Sequence, residues 1–320
     1  MKIFIEYSLS NNSGKGKFIQ RLTKQWDKMG IKYSDKPAGC DCRLTLTRFR
    51  SKSKLPTVIR IDGAHNEIQS IKGKDKERLK NSMKWKNKHT AESIKKAKAV
   101  IWQSDFCRRM GHAVFKVKPK REYVIFNGDD PTDYLPWTPG KNVIMSAHWK
   151  NRPHKRLKEM LEVAENFTKT HPDVVFHVLG DVEMKYEQHH NIQFHGLLTQ
   201  EQMKRVFSTA TCMLNICYAD WCPNAVVEAL VAGMPVICTA NQGVSEIVKD
   251  SGIIVDIDDP IPSKHFKRAM NKPIRDIQPV YKALEILFNP DTTVKFVKPE
   301  HLYIEKVAKQ YAEVFREILR

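Results

Sequence analysis

The sequence predicts an α/β protein built as two doubly wound, mainly parallel domains. Three observations carry this. Short apolar, strand-like runs alternate with segments of helical spacing along the chain. A Pro-rich segment, PTDYLPWTPGKN, interrupts the alternation near the middle. The charge divides at the same place, with 31 Lys and Arg against 14 Asp and Glu in residues 1–140, and 23 against 22 in residues 141–320. At 320 residues the chain is long enough for two cores, and its 41% apolar and 28% charged content is that of a globular protein.

Taken in order, MKIFIEYSL reads as a buried first strand, followed by the polar loop NNSGKGK. FIQRLTKQWDKMG then places Phe18, Ile19, Leu22 and Trp26 at helical spacing and stops at Gly30. CRLTLT and TVIRID are the next strands, a long basic helix is expected near 74–97, and AVIWQS and YVIFNG follow as strands. Beyond the linker come NVIMSAHW, a helix over 154–169, VVFHVLGD, IQFHGLL, a helix over 199–208 and the strand TCMLNICY. A helix over 223–232, the strand PVICTA, a short helix near 244–249 and the strand GIIVDI complete the second set. Helices near 276–288 and 301–319 close the chain. The expected boundaries are 1–135 for the first domain, 141–298 for the second and 299–320 for a C-terminal helix.

The net charge of +18 therefore belongs to one half, and that half is expected to meet an anionic partner; a solvated lysine-rich surface is the plainer alternative. Its most basic segment is 72–98. There is no 18-residue apolar run, and MKIFIEYSL is too short for a signal peptide, so a cytoplasmic protein is expected, at most peripheral to a membrane. Seven cysteines without a CxxC pair read as reduced thiols.

In parallel sheets of this kind ligands sit beyond the carboxyl ends of strands, so the loops there are the candidates. Ser13-Gly-Lys-Gly-Lys17 fails the nucleotide P-loop pattern, because one residue separates the glycines and Phe18 follows the lysine. Gly14, Lys15 and Gly16 still allow backbone amides to approach an anion or substrate, against a plain loop. Asp256-Ile-Asp258 has the DxD form of a metal-holding triplet, which short acidic runs often share, and no metal is expected. HWKNRPHKR, residues 148–156, sets cations beside a helix start, where dipole and charge both favour a diphosphate. In YADWCPNAVVEALVAGMPVI, residues 218–237, Pro223 suits the first helical position, so the amides of Asn224, Ala225 and Val226 face an anion beyond the preceding strand. Asp220 precedes that helix and Glu228 lies within it; spacing alone leaves open a capped core helix.

Together these segments resemble the retaining glycosyltransferase family four, of GT-B fold and E-x7-E type, in a viral, phage or bacterial member. Asp220 and Glu228 match the two acids, and Ala229, Gly233, Pro235, Val236 and Ile237 match the run after them. Gly243, Glu246 and Ile247 match the downstream signature, with Gln242 at its first glycine. Lys155-Arg156 resembles the family's Lys-Gly pair, and Lys150 stands where an arginine is usual. RIDG (Arg60 to Gly63), WQSDF (Trp102 to Phe106) and FNGDD (Phe126 to Asp130) resemble first-domain segments.

The resemblance implies two Rossmann-like domains facing a central cleft, with the C-terminal helix packing back toward the first. It implies a nucleotide-diphosphate sugar, UDP- or GDP-linked, as donor substrate and no other cofactor. Lys155 and Lys150 would hold the diphosphate with the amides near Asn224 and Ala225. Glu228 would bind the ribose, Asp220 would lie near the sugar, and Gly243 and Glu246 would complete the donor site. In the first domain Asp62, or His65, would stand at the sugar, and Gly14, Lys15, Gly16 and His65 would meet the acceptor. The acceptor is expected to be a glycan or glycolipid at an anionic membrane, with residues 72–98 on the headgroups. Hydroxymethylated DNA, as for phage enzymes, is the alternative. A non-enzymatic basic nucleic-acid-binding protein leaves the two acids unexplained. The oligomeric state is left open.

Overall fold

A computed structural model of the protein describes residues 1–8, 10, 13–65, 75–146, 153–182, 189–240, 242–257, 274 and 276–320. The chain forms two units, Met1–Asp130 joined by Glu300–Arg320, and Pro131–Pro299. The first holds a parallel sheet of β1 (Lys2–Ile5), β2 (Lys32–Ser34), β3 (Cys42–Leu46), β4 (Thr57–Ile61), β5 (Ala99–Trp102) and β6 (Glu122–Val124), in the order β2-β1-β3-β4-β5-β6. Its helices are α1 (Gly14–Lys28), α2 (Asp75–Lys96), α3 (Asp105–Phe115) and the chain's last helix, Ile304–Leu319.

The second unit holds β7 (Asn142–Ser146), β8 (Val175–Leu179), β9 (Ile192–Gly196), β10 (Ala210–Asn215), β11 (Val236–Thr239) and β12 (Gly252–Val255), ordered β12-β11-β10-β7-β8-β9 and all parallel. Its helices among the described residues are α4 (Leu157–Thr170), α5 (Gln200–Thr209), α6 (Asn224–Val231), α7 (Gly243–Val248) and α8 (Gln278–Phe288), and the C-terminal helix of the first unit is labelled α9. The strand order reverses between β1 and β3 in one unit and between β7 and β10 in the other. Those reversals open the crevices in which such sheets hold ligands.

Central parallel strands are covered on both faces, and β3, β4, β5, β10 and β11 are accordingly buried along their whole length. Two arginines break the apolar pattern. Arg43 reaches Glu6 at 3.3 Å and Thr57 at 2.8 Å, and Arg60 donates to Asn127 Oδ1 at 2.5 Å. All seven cysteines are buried thiols, and burial pushes Cys42 up to about 12 and Cys217 up to about 11.

The C-terminal helix completes the first unit's core. Phe18 and Trp26 of α1 meet Tyr311 and Phe315 of α9 with ring centroids 5.7 and 5.9 Å apart, and the Trp26 indole donates to the Ala308 carbonyl at 3.4 Å. The FNGDD segment holds the start of that helix. Asp129 N donates to Leu302 O at 3.0 Å, and Ile304 N donates to Asp129 O at 2.9 Å. A Cβ on Gly128 would lie 2.9 Å from Val307 Cγ2 and 3.0 Å from the Leu302 carbonyl, so only glycine permits this approach.

Two elements go beyond the sequence reading. β2 is a three-residue edge strand without a repeating pattern. In α3, Ser104 caps the first turn by accepting from Cys107 N at 3.0 Å, which accounts for the serine of WQSDF. Gly111 inside that helix lowers helical propensity, but a Cβ there would strike the Trp102 ring.

Two predictions arise from this packing. Gly128→Ala is expected to cost about 1–3 kcal/mol, the usual penalty for overfilling a close contact, read as a lower urea midpoint. His177, on β8, sits 2.8 Å from His195 and 3.2 Å from Asn142 Oδ1, and burial followed by the His195 charge pulls it from the ordinary 6.5 down to about 4. Between these values the unfolded chain takes up a proton that the folded chain refuses. Stability should therefore fall as pH drops from 6.5 toward 4, and His177→Gln should flatten that slope in urea titrations.

Candidate functional site

The second unit's site forms where β7 and β10 diverge. Lys150, and most of the basic loop after β7, lie outside the described residues. The chain then makes a single 3₁₀ turn, Pro153–Lys155, and enters α4 through Arg156, which is left-handed at φ 54°. Glycine adopts this backbone at least cost, so the Lys-Gly pair that Lys155-Arg156 resembles has a geometric reason. Here an arginine occupies the turn and is buried by packing. Its guanidinium lies 5.0 Å over the Tyr218 ring and reaches the Ile216 carbonyl at 3.4 Å. Tyr218 N donates to His154 O at 2.6 Å, so the loops after β7 and β10 are joined by backbone and side chain.

This junction brings Lys155 Nζ to 2.5 Å from Asp220 Oδ2, with the two side chains only 13% and 11% exposed. Burial opposes the charge on Asp220, but the Lys155 ammonium, the field of His154 and the Trp221 amide outweigh it and hold the carboxyl below the usual carboxylate range. The Trp221 amide donates to the other carboxylate oxygen at 2.8 Å. The shorter aspartate is thus folded back on its own loop.

Gln242, which occupies the place of a signature glycine, is buried and acts as a strut. Its side-chain amide donates to Cys217 O at 2.6 Å and to the Thr239 hydroxyl, and its oxygen accepts from Asp220 N at 3.2 Å. The adjoining Gly243 N donates to Asp220 O at 3.1 Å. A Cβ there would lie 2.7 Å from Asp220 O and closer still to Trp221 O. Gly243 is therefore required by the approach of α7 to the Asp220 loop. Glu246 stands half-buried as the fourth residue of α7, at the end of its first turn.

Pro223 precedes α6 as its cap residue instead of opening it, with φ −69° and ψ 125°. Its carbonyl accepts from Val226 N at 3.1 Å and Val227 N at 3.2 Å, so the Val226 amide is engaged within the turn and does not face a ligand. Asn224 and Ala225 form the half-buried start of the helix, and Glu228 lies buried at 7% exposure on its inner face.

In the first unit, the reversal gathers Lys15, Thr47 and Asp62. Ser13 caps α1 by accepting from Gly16 N at 3.3 Å, which sets Gly14, Lys15 and Gly16 in the first turn. Lys15 Nζ is 2.7 Å from Thr47 Oγ1 and 3.1 Å from Asp62 Oδ2. Gln103 donates to Asp62 Oδ1 at 2.6 Å, and Arg60 also contacts that oxygen. Burial works against the Asp62 charge, yet Arg60 and Lys15 pull its carboxyl below the usual range. His65 is clamped to α2: its amide donates to Asn87 Oδ1 at 3.0 Å, and Asn87 Nδ2 donates to His65 O at 2.8 Å. Beside β1 an open depression of about 540 Å³ is lined by Tyr7, Ser8, Ser10, Asp35 and Arg50.

Of the residues singled out by sequence, the structure brings Lys155, Asp220 and Gly243 together in one unit and Lys15 with Asp62 in the other. Asn224, Ala225 and Glu228 follow the Asp220 loop on α6. Asp258 lies outside the described residues, and no metal-holding group of three His, Cys, Asp or Glu occurs among the described ones. Arg156 and Gln242 were not foreseen as parts of the site. Their sequence signal was a departure from glycine at each position.

Residues 140–276 match the family described as glycosyl transferases group 1. A comparison with curated proteins finds no match. Among solved structures, the chain is similar to Anabaena HepE in complex with UDP and glucose, at 12% identity and TM-score 0.58 over 98% of this chain and 99% of that one. It is also similar to a glycosyltransferase from Rickettsia africae, at 14% identity and TM-score 0.59 over 100% and 98%. A third is WaaG, a glycosyltransferase of lipopolysaccharide biosynthesis, at 14% identity and TM-score 0.58 over 97% and 99%. The chain thus has the GT-B fold of these structures, and its residues 140–276 carry the sequence pattern of the group 1 glycosyl transferases.

Proposed function

We infer that the protein is a retaining glycosyltransferase that moves a sugar from a nucleotide-diphosphate sugar to an acceptor. The observation that carries this reading is the buried Lys155–Asp220 pair at the strand-order reversal, next to the start of α6. A lysine held there is a cation set for a diphosphate, and the first turn of α6, at Asn224 and Ala225, adds the favourable end of a helix dipole. These groups supply positive charge where the leaving diphosphate develops negative charge. Lys150 belongs to the same proposed clamp, Glu228 takes the ribose hydroxyls, and Gly243 and Glu246 shape the donor side. The Anabaena structure holds UDP, which makes a UDP-sugar the first donor to test and a GDP-sugar the second.

In the proposed step the bond from the sugar's anomeric carbon to the phosphate oxygen breaks, and its electron pair stays on the diphosphate. The acceptor oxygen bonds to that carbon on the same face, and its proton passes to the leaving phosphate. Asp220 lies near the sugar and positions Lys155; no protein nucleophile is required, and catalysis rests on placement and charge. Asp62 is the first-unit residue assigned to the sugar.

The acceptor reading rests on charge. Grouped by the folded units, the first carries 35 Lys and Arg against 17 Asp and Glu, and the second carries 19 against 19. The whole net charge of +18 therefore lies on the unit assigned to the acceptor. On α2, Arg78, Lys80, Lys84, Lys88, Lys95 and Lys96 are exposed, beside the half-exposed Trp85. With so few apolar residues, this face would meet an anionic surface by charge, not by insertion. Membrane headgroups are the first acceptor setting and hydroxymethylated DNA is the second, and no described helix is long and apolar enough to cross a membrane.

A thermal-shift screen of UDP-, GDP-, ADP- and CMP-sugars tests the donor reading. A true donor at one hundred times its Kd should stabilise the protein by about 2.7 kcal/mol. CMP-sugars lack a diphosphate and should give no shift. Glu228→Gln should keep the unliganded melting point and lose most of the donor shift. Equal shifts from CMP-sugars, or from Glu228→Gln, would contradict the reading.

A further inference from the structure

We propose that the first unit binds a phosphate ester at a cationic site made by Lys15, Arg48, Lys86 and His65, and that the acceptor is accordingly phosphorylated. This rests on the transferase reading for the ligand's role as acceptor, but not for its binding.

Four segments converge on this site. Lys15 comes from the first turn of α1, Arg48 from the loop after β3, His65 from the loop after β4, and Lys86 from α2. The backbone is fixed at each. Thr47 is left-handed at φ 69°, a costly conformation for a β-branched residue. It is held there by Thr47 N to Arg60 O at 2.8 Å, Arg48 N to Leu46 O at 2.8 Å and the Thr45 hydroxyl to Arg48 O at 2.9 Å. That turn directs the Thr47 hydroxyl onto Lys15 and sends Arg48 over Trp85, with its guanidinium carbon 4.9 Å from the ring centroid. Trp85 in turn meets the His89 ring in a tilted contact, with centroids 3.9 Å apart. The Asn87 clamp brings His65 and Lys86 of α2 into the same neighbourhood.

The charges at this place are not balanced. Asp62 faces Lys15 but is already shared with Arg60, Thr47 and Gln103. Arg48 and Lys86 have no carboxylate partner among the described residues, and Arg48 Nη1 is a buried donor with no hydrogen-bond acceptor there. The field is felt by His65, which burial and then Lys86, Lys15 and Arg48 pull down to about 4. A buried guanidinium nitrogen lacking an acceptor, beside further cations, is what a phosphate oxygen satisfies. Arginine also offers two parallel donors to a phosphate, whereas a solvated lysine face offers none in fixed geometry.

The ester has two possible sources, a soluble phosphorylated acceptor or a lipid headgroup. Calorimetry with methyl phosphate tests the first, and flotation with phosphatidylcholine vesicles, with and without phosphatidic acid, tests the second. No nucleotide sugar is present in either. Binding in one or both arms is expected, with Arg48→Ala and Lys86→Ala each weakening it about tenfold. The Lys118→Ala/Lys120→Ala pair, which removes two exposed charges of the same unit from the segment between α3 and β6, should change it less than about twofold. Equal loss in that control, binding in neither arm, or binding only of a single-stranded oligonucleotide would overturn the site. Should methyl phosphate bind while no nucleotide sugar shifts the melting point, the site stands and its role as an acceptor site falls.

Discussion

The buried pair between Lys155 and Asp220 is the constraint on which the second unit's site depends. Removing two charges from water costs several kcal/mol per ion, and mutual attraction recovers this only when the geometry is fixed. The surroundings are built to fix it. The left-handed turn at Arg156 follows Lys155 directly, the Arg156 guanidinium packs on Tyr218, and the Tyr218 amide ties the two loops at 2.6 Å. Gln242 and Gly243 then hold the Asp220 backbone from the other side. Strand order places the pair: β7 and β10 are neighbours whose following segments run to opposite sides, so their loops part above this point.

The first unit repeats the arrangement with different residues. There a lysine at the start of α1 meets an aspartate beyond β4, near the reversal between β1 and β3. Both aspartates keep their charge against burial because cations face them, Arg60 and Lys15 at Asp62 and Lys155 at Asp220. The units differ in what lies around the pair. The second is neutral overall and keeps its cation inside the site; the first carries the full +18 and leaves Arg48 and Lys86 beside the pair without an acid among the described residues. One unit thus sets its cation in a paired, buried loop junction, and the other sets a cationic cluster within a broadly attractive field.

Much of this was legible in the sequence because periodicity reports burial, and burial fixes most strands and helices. The two-unit α/β architecture, the position of α6 and the buried strands all follow from that signal. Features set by contacts between distant segments were not legible. α3 was hidden by Gly111, whose purpose is a close approach to Trp102. Gln242 read as a departure from glycine, yet it is the strut of the Asp220 loop. The Val226 amide was expected to face a ligand, but Pro223 sits one position earlier and takes it. Gly128 and Gly243 stood out as motif glycines; only the fold shows which neighbour would strike their Cβ.

On the proposed reading, Asp220 holds Lys155 at 2.5 Å until a diphosphate takes the lysine. The direct measurement is the Kd of free UDP, and of GDP if UDP does not bind, for the wild type and for Asp220→Asn, by calorimetry. Neutralising this carboxylate removes its pull on the lysine and a repulsion within a few ångströms of the ligand, the latter worth more than about 1.4 kcal/mol at an intermediate dielectric. The prediction is at least about tenfold tighter nucleotide binding together with loss of sugar transfer. Unchanged or weaker binding in Asp220→Asn, with the protein still folded, would contradict it.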